Sequence, residues 1–396
     1  MKVVFVHTDF RIYWPARLNA AKAFLRQKGV GLEIIEISGK GSPYNFAGSK
    51  NVELPYWHIL FPDSEMESIT PHKANREVRK KLDEISPDVV FAGAIAFPSG
   101  VASVRWAVEN KKRIIIFDNA RLSDTPRSAF VNFIKRRIYS CVDAIFCPSP
   151  LWDETYSFFG FKTEQIYYGV NAIDNHFWND KPPPSKRNLP NNYFINVSRQ
   201  VPKKNLTGLL KSYHDYTIQV SDPKDLILVG DGPERLALEV FVKENSLDKV
   251  HFLAFQSQEK LREYYSHSLC YILPSLYGET WGLTVNEAMA TGLPVLVSNQ
   301  AGCASILVKN GINGYTFSPS DPEELTELLL KFHDLPENTI KQMAANSQEI
   351  IRDWDLDRFC SGVFDALNFV LTTSTRKKSI LTRLMLMVWK GRYRPT

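Results

Sequence analysis

The sequence predicts an α/β protein built as two doubly wound, parallel-sheet domains facing each other across a cleft. Three observations carry this. Short apolar runs alternate with longer amphipathic stretches almost throughout, a proline-rich polar break interrupts them at 181–192, and the same alternation restarts beyond it. Near-continuous hydrophobicity in strand-length runs marks strands covered on both faces by helices. A chain of 396 residues is also too long for one ordinary core.

In chain order, VVFV (3–6) is the first strand. It is followed by Leu18, Ala21, Phe24 and Leu25 at helical spacing, and then by LEIIEI (32–37). DVVFAG (88–93), a helical stretch through Trp106, RIIIF (113–117) and AIFCPS (144–149) complete a first domain, placed at 1–180. KPPPSKRNLPNN (181–192) has the composition of an interdomain linker. YFINVS (193–198), LILVG (226–230), VHFLAF (250–255), CYILPS (270–275) and PVLVSN (294–299) are the strands of a second domain, placed at 193–370. A tail, 371–396, follows.

The net charge of +5 is mild. It suits phosphate-bearing ligands or an anionic surface, and no nucleic-acid partner is expected. The five cysteines are scattered without paired metal spacing, which points to reduced thiols in a cytoplasmic protein. MKVVFVHTDF reads as a buried strand and not as a signal peptide, and no apolar run reaches membrane-spanning length.

Open α/β sheets bind ligands beyond the carboxyl ends of their strands, so the loops there matter most. After CYILPS comes LYGETWG, then a helix expected to start near Leu283, with Gly292 at its C-terminus and Pro294 opening the next strand. Glu279 lies in the loop ahead of the helix and Glu287 one turn inside it. The two carboxylates can therefore flank a helix N-terminus whose amides and dipole suit a phosphate. A plainer reading stays open, in which Glu279 caps the helix and Glu287 is solvated. In VSRQVPKKNLTGLLKSY (197–213), Arg199 ends a strand and Lys204 stands just before a helix. A guanidinium fork and a mobile ammonium can neutralise a diphosphate without a metal, although a basic surface loop is also compatible. In LVGDGPER (228–235), Gly230 and Gly232 allow close backbone approach to a ligand. Arg235 occupies the place of the third glycine that a dinucleotide fingerprint needs.

Taken together these features resemble the GT-B glycosyltransferases of family GT4, most strongly over 193–355. The family's E-x7-E signature is matched by Glu279 and Glu287 within PSLYGETWGLTVNEAMATGLPV, its strand-end arginine and following lysine by Arg199 and Lys204, and its glycine turn by Gly230, Gly232 and Pro233. IYYGVNAIDNHF (166–177) and GINGYTFSPSDPEEL (311–325) resemble the family's segments before the linker and after the donor site. The resemblance implies a GT-B architecture of two Rossmann-like domains. It also implies a retaining, hexosyl-type transferase that moves sugar from a UDP- or GDP-type nucleotide sugar to a glycan or lipid-linked acceptor, in surface polysaccharide or glycolipid synthesis. It assigns Glu279 to the sugar, Glu287 to the ribose, and Arg199 and Lys204 to the diphosphate. The backbone amides of Gly282, Leu283 and Thr284 would add to that charge stabilisation, and Ala254 and Phe255 would border the base. Neither a metal nor a cofactor is expected. An epimerase or phosphorylase of the same fold, or a catalytically silent scaffold subunit, are the competing readings.

Three places depart from the family pattern. DFRIYWPARLNA (9–20) stands where a glycine-rich loop is common, and Arg11, Tyr13, Trp14 and Arg17 are acceptor candidates. Alternatively, Tyr13 and Trp14 cover the helix start. Asp118 occupies the place of a frequent histidine, where a carboxylate could contact sugar, act as a base, or cap the following turn. Ser305 stands near the place of a glutamate, which leaves the sugar undefined. GKGSPYNF (39–46) either lines the acceptor side or is a glycine turn, and His7 and His58 read as structural. The final segment, TRKKSILTRLMLMVWKGRYRPT (375–396), carries no acidic residue and places Ile380, Leu381, Leu384, Met385 and Val388 at helical spacing. A basic amphipathic helix of this kind suits peripheral contact at the inner face of a membrane, or it packs on the first domain.

Overall fold

The computed structural model describes residues 1–40, 54–124, 127–180, 190–373 and 380–392. Most of the expected linker and of the loop 39–46 therefore lies outside the described residues. The chain divides into two compact units, one of residues 1–172 and 356–396, the other of 173–355.

The first unit holds β1 (Lys2–His7), β2 (Gly31–Lys40), β3 (Trp57–Glu65), β4 (Val89–Ala92), β5 (Arg113–Phe117), β6 (Ala144–Cys147) and β7 (Ile166–Tyr168). They form one sheet in the order β3-β2-β1-β4-β5-β6-β7. Every pairing is parallel. The second unit holds β8 (Tyr193–Val197), β9 (Leu226–Val229), β10 (Val250–Leu253), β11 (Ser268–Leu273), β12 (Val295–Ser298) and β13 (Gly314–Phe317). Their order is β10-β9-β8-β11-β12-β13, again all parallel. In each sheet the strand order reverses once, between β1 and β4 and between β8 and β11. Loops leaving the carboxyl ends of those neighbours splay apart and leave room for a ligand.

The division corrects the expected boundary at 370. Residues 356–370 were expected in the second domain, yet they belong to helix Leu356–Thr372, which packs into the first. Phe359 is fully buried with Phe5, Phe91, Phe117 and Phe146, its ring 5.5 Å from that of Phe146. At Gly362 a Cβ would lie 2.1 Å from the Tyr168 carbonyl oxygen, so only glycine lets this helix lie so close to β7. Without the helix, the part of that face that helix Trp14–Gln27 does not cover would stay wet. Phe359→Ala is expected to cost about 3–5 kcal/mol of stability, read as a lower denaturant midpoint. An unchanged midpoint would show that the helix is dispensable to the core.

The tail also differs from a free amphipathic peptide. Helix Ile380–Val388 packs on helices Pro98–Glu109 and Ala129–Tyr139 of the first unit. The segment after it is stapled down: Trp389 Nε1 donates to the Ile95 carbonyl at 2.9 Å and the Arg392 amide to that of Ala96 at 2.7 Å. Among the described residues no helix is long and apolar enough to cross a membrane.

Candidate functional site

The second unit gathers its polar side chains at the reversal between β8 and β11. Beyond β8, the Ser198 amide donates to Val229, that of Gln200 to Asp231, and that of Glu234 back to Gln200, at 2.9–3.1 Å. This zipper runs very close. A Cβ at Gly230 (φ 131°) would meet the Ser198 carbonyl oxygen at 2.1 Å, and one at Gly232 that of Gln200 at 2.3 Å. The two glycines were expected to admit a ligand's backbone approach. The space they leave is taken by the chain's own backbone, and their effect is to hold the segment that carries Arg199. Gln200, fully buried, adds a bond from Nε2 to the Gly230 carbonyl.

A short turn, Pro202–Lys204, then aims Lys204 across to the loop after β11, where its Nζ pairs with Glu279 Oε2. Ser275 Oγ donates to the same oxygen at 3.2 Å. Both side chains of the pair are only 12–13 % exposed. Burial alone would raise the Glu279 carboxyl; the Lys204 charge and hydrogen bond, with Lys203 and Ser275, outweigh it and hold the carboxyl below the usual range. Lys203 donates to the Gly278 carbonyl at 3.3 Å, and burial lowers its ammonium. The loop is fastened from its other side as well, through Gly302 N to Glu279 O (2.9 Å) and Cys303 N to Trp281 O (3.1 Å).

Helix Leu283–Thr291 starts where the sequence placed it, with Gly282 as its left-handed N-cap (φ 101°) and Gly292 closing it. The first-turn amides of Leu283 and Thr284 have no acceptor within the helix. Glu279 does not cap this helix, since its carboxylate is turned to Lys204. Glu287 is not a solvated surface residue either: it is 1 % exposed and accepts from Tyr265 Oη at 3.0 Å. Trp281 is buried over Trp354 and donates to Asn286 Oδ1 at 2.9 Å, while Tyr271 Oη bonds Thr284 Oγ1 at 2.6 Å. Ala254 and Phe255 lie exposed just past β10.

In the first unit the acceptor candidates fare differently. Arg11 pairs with Asp9 at 3.1 Å. Trp14 is half-buried and packs against the core, its ring 4.9 Å from Phe117 and 5.1 Å from Phe10. Arg17 is 3 % exposed, donates to the Ala172 carbonyl at 2.7 Å and stands over the rings of Tyr13 and Trp14. Burial pushes its guanidinium down to about 9. Arg17, buried and bonded to Ala172, therefore braces the loop and is corrected from ligand-facing to structural, while Trp14 covers the helix start and stays partly exposed. Tyr13 is the residue from which the helix at Trp14–Gln27 starts. Asp118 caps its turn, accepting from the Ala120 amide (3.0 Å) and from Tyr139 Oη (2.9 Å). Both carboxylate oxygens thus have a partner within the unit, the capping role among those the sequence offered.

Sequence reasoning missed Lys203 and Ser275 beside the Lys204–Glu279 pair, and Tyr265 beneath Glu287. Proximity in sequence could have found the first two; Tyr265 arrives from another helix with no local signal. It also missed Glu36, which accepts from the Phe10 amide and from Trp57 Nε1 and whose carboxyl burial pushes up to about 7. His7, read as structural, packs against the rings of Phe10, Trp14, Phe97 and Phe117, and burial lowers it to about 4. His58 pairs with Glu33 at 2.9 Å. Among the described residues no three His, Cys, Asp or Glu side chains group as metal ligands would.

Residues 179–350 match the sequence model of the glycosyl transferases group 1. The sulfoquinovosyl transferase SQD2 of Arabidopsis thaliana is 32% identical over 378 residues, 89% of this chain and 70% of that protein. The D-inositol 3-phosphate glycosyltransferase of Streptomyces griseus subsp. griseus is 28% identical over 147 residues, 37% of this chain, and the match spans 30% of its own length. Among solved structures, a sucrose-phosphate synthase from Thermosynechococcus elongatus superposes with a TM-score of 0.75 at 17% identity, over 94% of this chain and 100% of that one. Anabaena HepE in complex with UDP-glucose superposes with a TM-score of 0.72 at 18% identity, over 93% and 99%.

Proposed function

This chain belongs to the group 1 glycosyl transferases and has the GT-B fold, and from that premise we propose that it transfers a sugar, with retention of anomeric configuration, from a UDP- or GDP-type nucleotide sugar to a glycan or lipid-linked acceptor. The observation that carries the reading is the Lys204–Glu279 pair, set with Arg199 at the strand reversal of the second unit. A diphosphate placed there meets a fixed guanidinium, an ammonium and the first-turn amides of Gly282, Leu283 and Thr284. As the bond from the anomeric carbon to the diphosphate breaks, its electron pair moves onto the departing oxygen, an acceptor hydroxyl oxygen bonds to that carbon on the same face, and the hydroxyl proton passes to the departing diphosphate. Those donors stabilise the growing charge, and their positions are set before the reaction begins. Two cations make a metal unnecessary for that task. Glu279 faces the sugar, Glu287 lies beneath the ribose, and Ala254 and Phe255 border the base. The likeness of the chain to SQD2 and to HepE, whose crystals hold UDP-glucose, supports a nucleotide-sugar donor. Surface polysaccharide or glycolipid synthesis at the inner face of a membrane is the setting such an acceptor implies.

Calorimetric titration with UDP, GDP and ADP, with and without Mg²⁺, tests this. One nucleotide is expected to bind independently of the metal, and about tenfold or more weakly to Arg199→Ala and Lys204→Ala. No binding by any of the three would leave a silent scaffold as the better reading. The configuration of the product, read by NMR, checks retention.

A further inference from the structure

Two neighbouring helices of the first unit turn large apolar side chains outward. On helix Ala129–Tyr139, Phe130 is 70 % exposed and Phe133 43 %, while Ile138 and Tyr139 are buried. On helix Ile380–Val388, Thr382 and Leu386 face the protein, one turn apart. The opposite side presents Leu384, Met387 and Val388, at 54, 50 and 80 % exposure. Single exposed apolar residues need no explanation. Five of them stand on two helices that pack together, and folded chains seldom leave such a grouping without a partner.

The charges carried by the two helices themselves are all of one sign. Arg136 and Arg137 are exposed on the first helix, Arg137 standing 5.2 Å over the Phe133 ring, and Arg383 is exposed on the second, with Arg392 just beyond it. No Asp or Glu occurs between Asp124 and Asp143 or after Asp365. An acidic protein partner would match the charge but would leave the aromatic and aliphatic tips without an apolar bed. A second copy would bring arginine against arginine. A bilayer with anionic headgroups answers both features: the apolar tips enter the acyl boundary and the guanidiniums stay among the phosphates. We propose that the face made jointly by helices Ala129–Tyr139 and Ile380–Val388 is a docking surface for an anionic membrane interface. The tail contributes one half of it as a docked helix, and the aromatic half comes from a stretch more than two hundred residues earlier.

The test is flotation of the full chain with phosphatidylcholine vesicles, alone or with phosphatidylglycerol, in low and high salt. Binding is expected only with the anionic lipid and is expected to weaken as salt rises. Three paired variants follow: Phe130→Ser with Phe133→Ser, Leu384→Ser with Val388→Ser, and Arg136→Glu with Arg137→Glu. Each is expected to lower the vesicle partition by about tenfold or more, with an unchanged thermal transition and unchanged nucleotide binding. Failure to float with anionic vesicles overturns the proposal. So does floating that all three pairs leave intact, because the lipid would then be meeting another surface. Dimerisation of the wild type that these variants abolish would assign the patch to a second copy. The readout uses neither donor nor acceptor, so its failure is separate from failure of the transferase reading.

Discussion

Glu279→Gln is expected to lower kcat for sugar transfer by about 10²–10³-fold while nucleotide binding survives. The amide keeps the shape and one acceptor for Ser275, and it removes the charge that the proposed donor pose sets against the transferred sugar. It also releases Lys204 from its ion pair. The ammonium is then wholly available to a diphosphate, so affinity for the nucleotide alone should stay the same or rise. That split separates a role in the reaction from a role in holding the loop. If Glu279 served only to brace Lys204, kcat and nucleotide affinity would fall together. If turnover is unchanged, the carboxylate does not face the sugar and the proposed donor pose is wrong. Circular dichroism and the unfolding midpoint confirm that the variant is folded.

The second large effect is expected at Gly230. Its φ of 131° belongs to a region that side chains rarely adopt, and an added Cβ would sit 2.1 Å from the Ser198 carbonyl oxygen. Gly230→Ala must either bend back or push the Ser198–Gln200 zipper away, and Arg199 rides on that zipper. A stability loss on the order of 3 kcal/mol is expected, with nucleotide affinity reduced about tenfold or more. Denaturant unfolding and the same calorimetry measure both. Normal stability with normal affinity would show that the segment relaxes freely and that the glycine does not position the arginine.

Much of this was legible before any coordinates. Period and length identified β1, β2, β4, β5 and β6 and most of the second sheet, because strands buried on both faces must be nearly all apolar. The turn of the helix at Leu283 and its stop at Gly292 were readable from local chemistry. β3 was not, since WHILFPDSE carries polar and charged residues on an edge and contains a proline. The home of helix Leu356–Thr372 was hidden for a different reason: its apolar face fits any sheet, and nothing local says which. The same blindness affected the site. Lys204 and Glu279 could be singled out, but not that they hold one another. Arg17 looked like a ligand group because a sequence shows residue types and not the burial of a guanidinium or the Ala172 carbonyl that its Nε meets. For Glu287 a solvated and a ligand-facing reading stood side by side until its burial and its bond from Tyr265 were seen.

The return of helix Leu356–Thr372 to the first sheet sets a timetable for synthesis. At a ribosome pace of 5–20 residues per second, roughly 10–40 s separate the last strand of that sheet from the helix that covers it. Through that interval Phe5, Phe91, Phe117 and Phe146 lack the Phe359 face that finally dries them. The second unit is complete by residue 355 and has all its own strands well before then. Although it is made later, it is the unit that can finish folding first, and the nascent chain's stickiest surface belongs to the part that left the ribosome earliest.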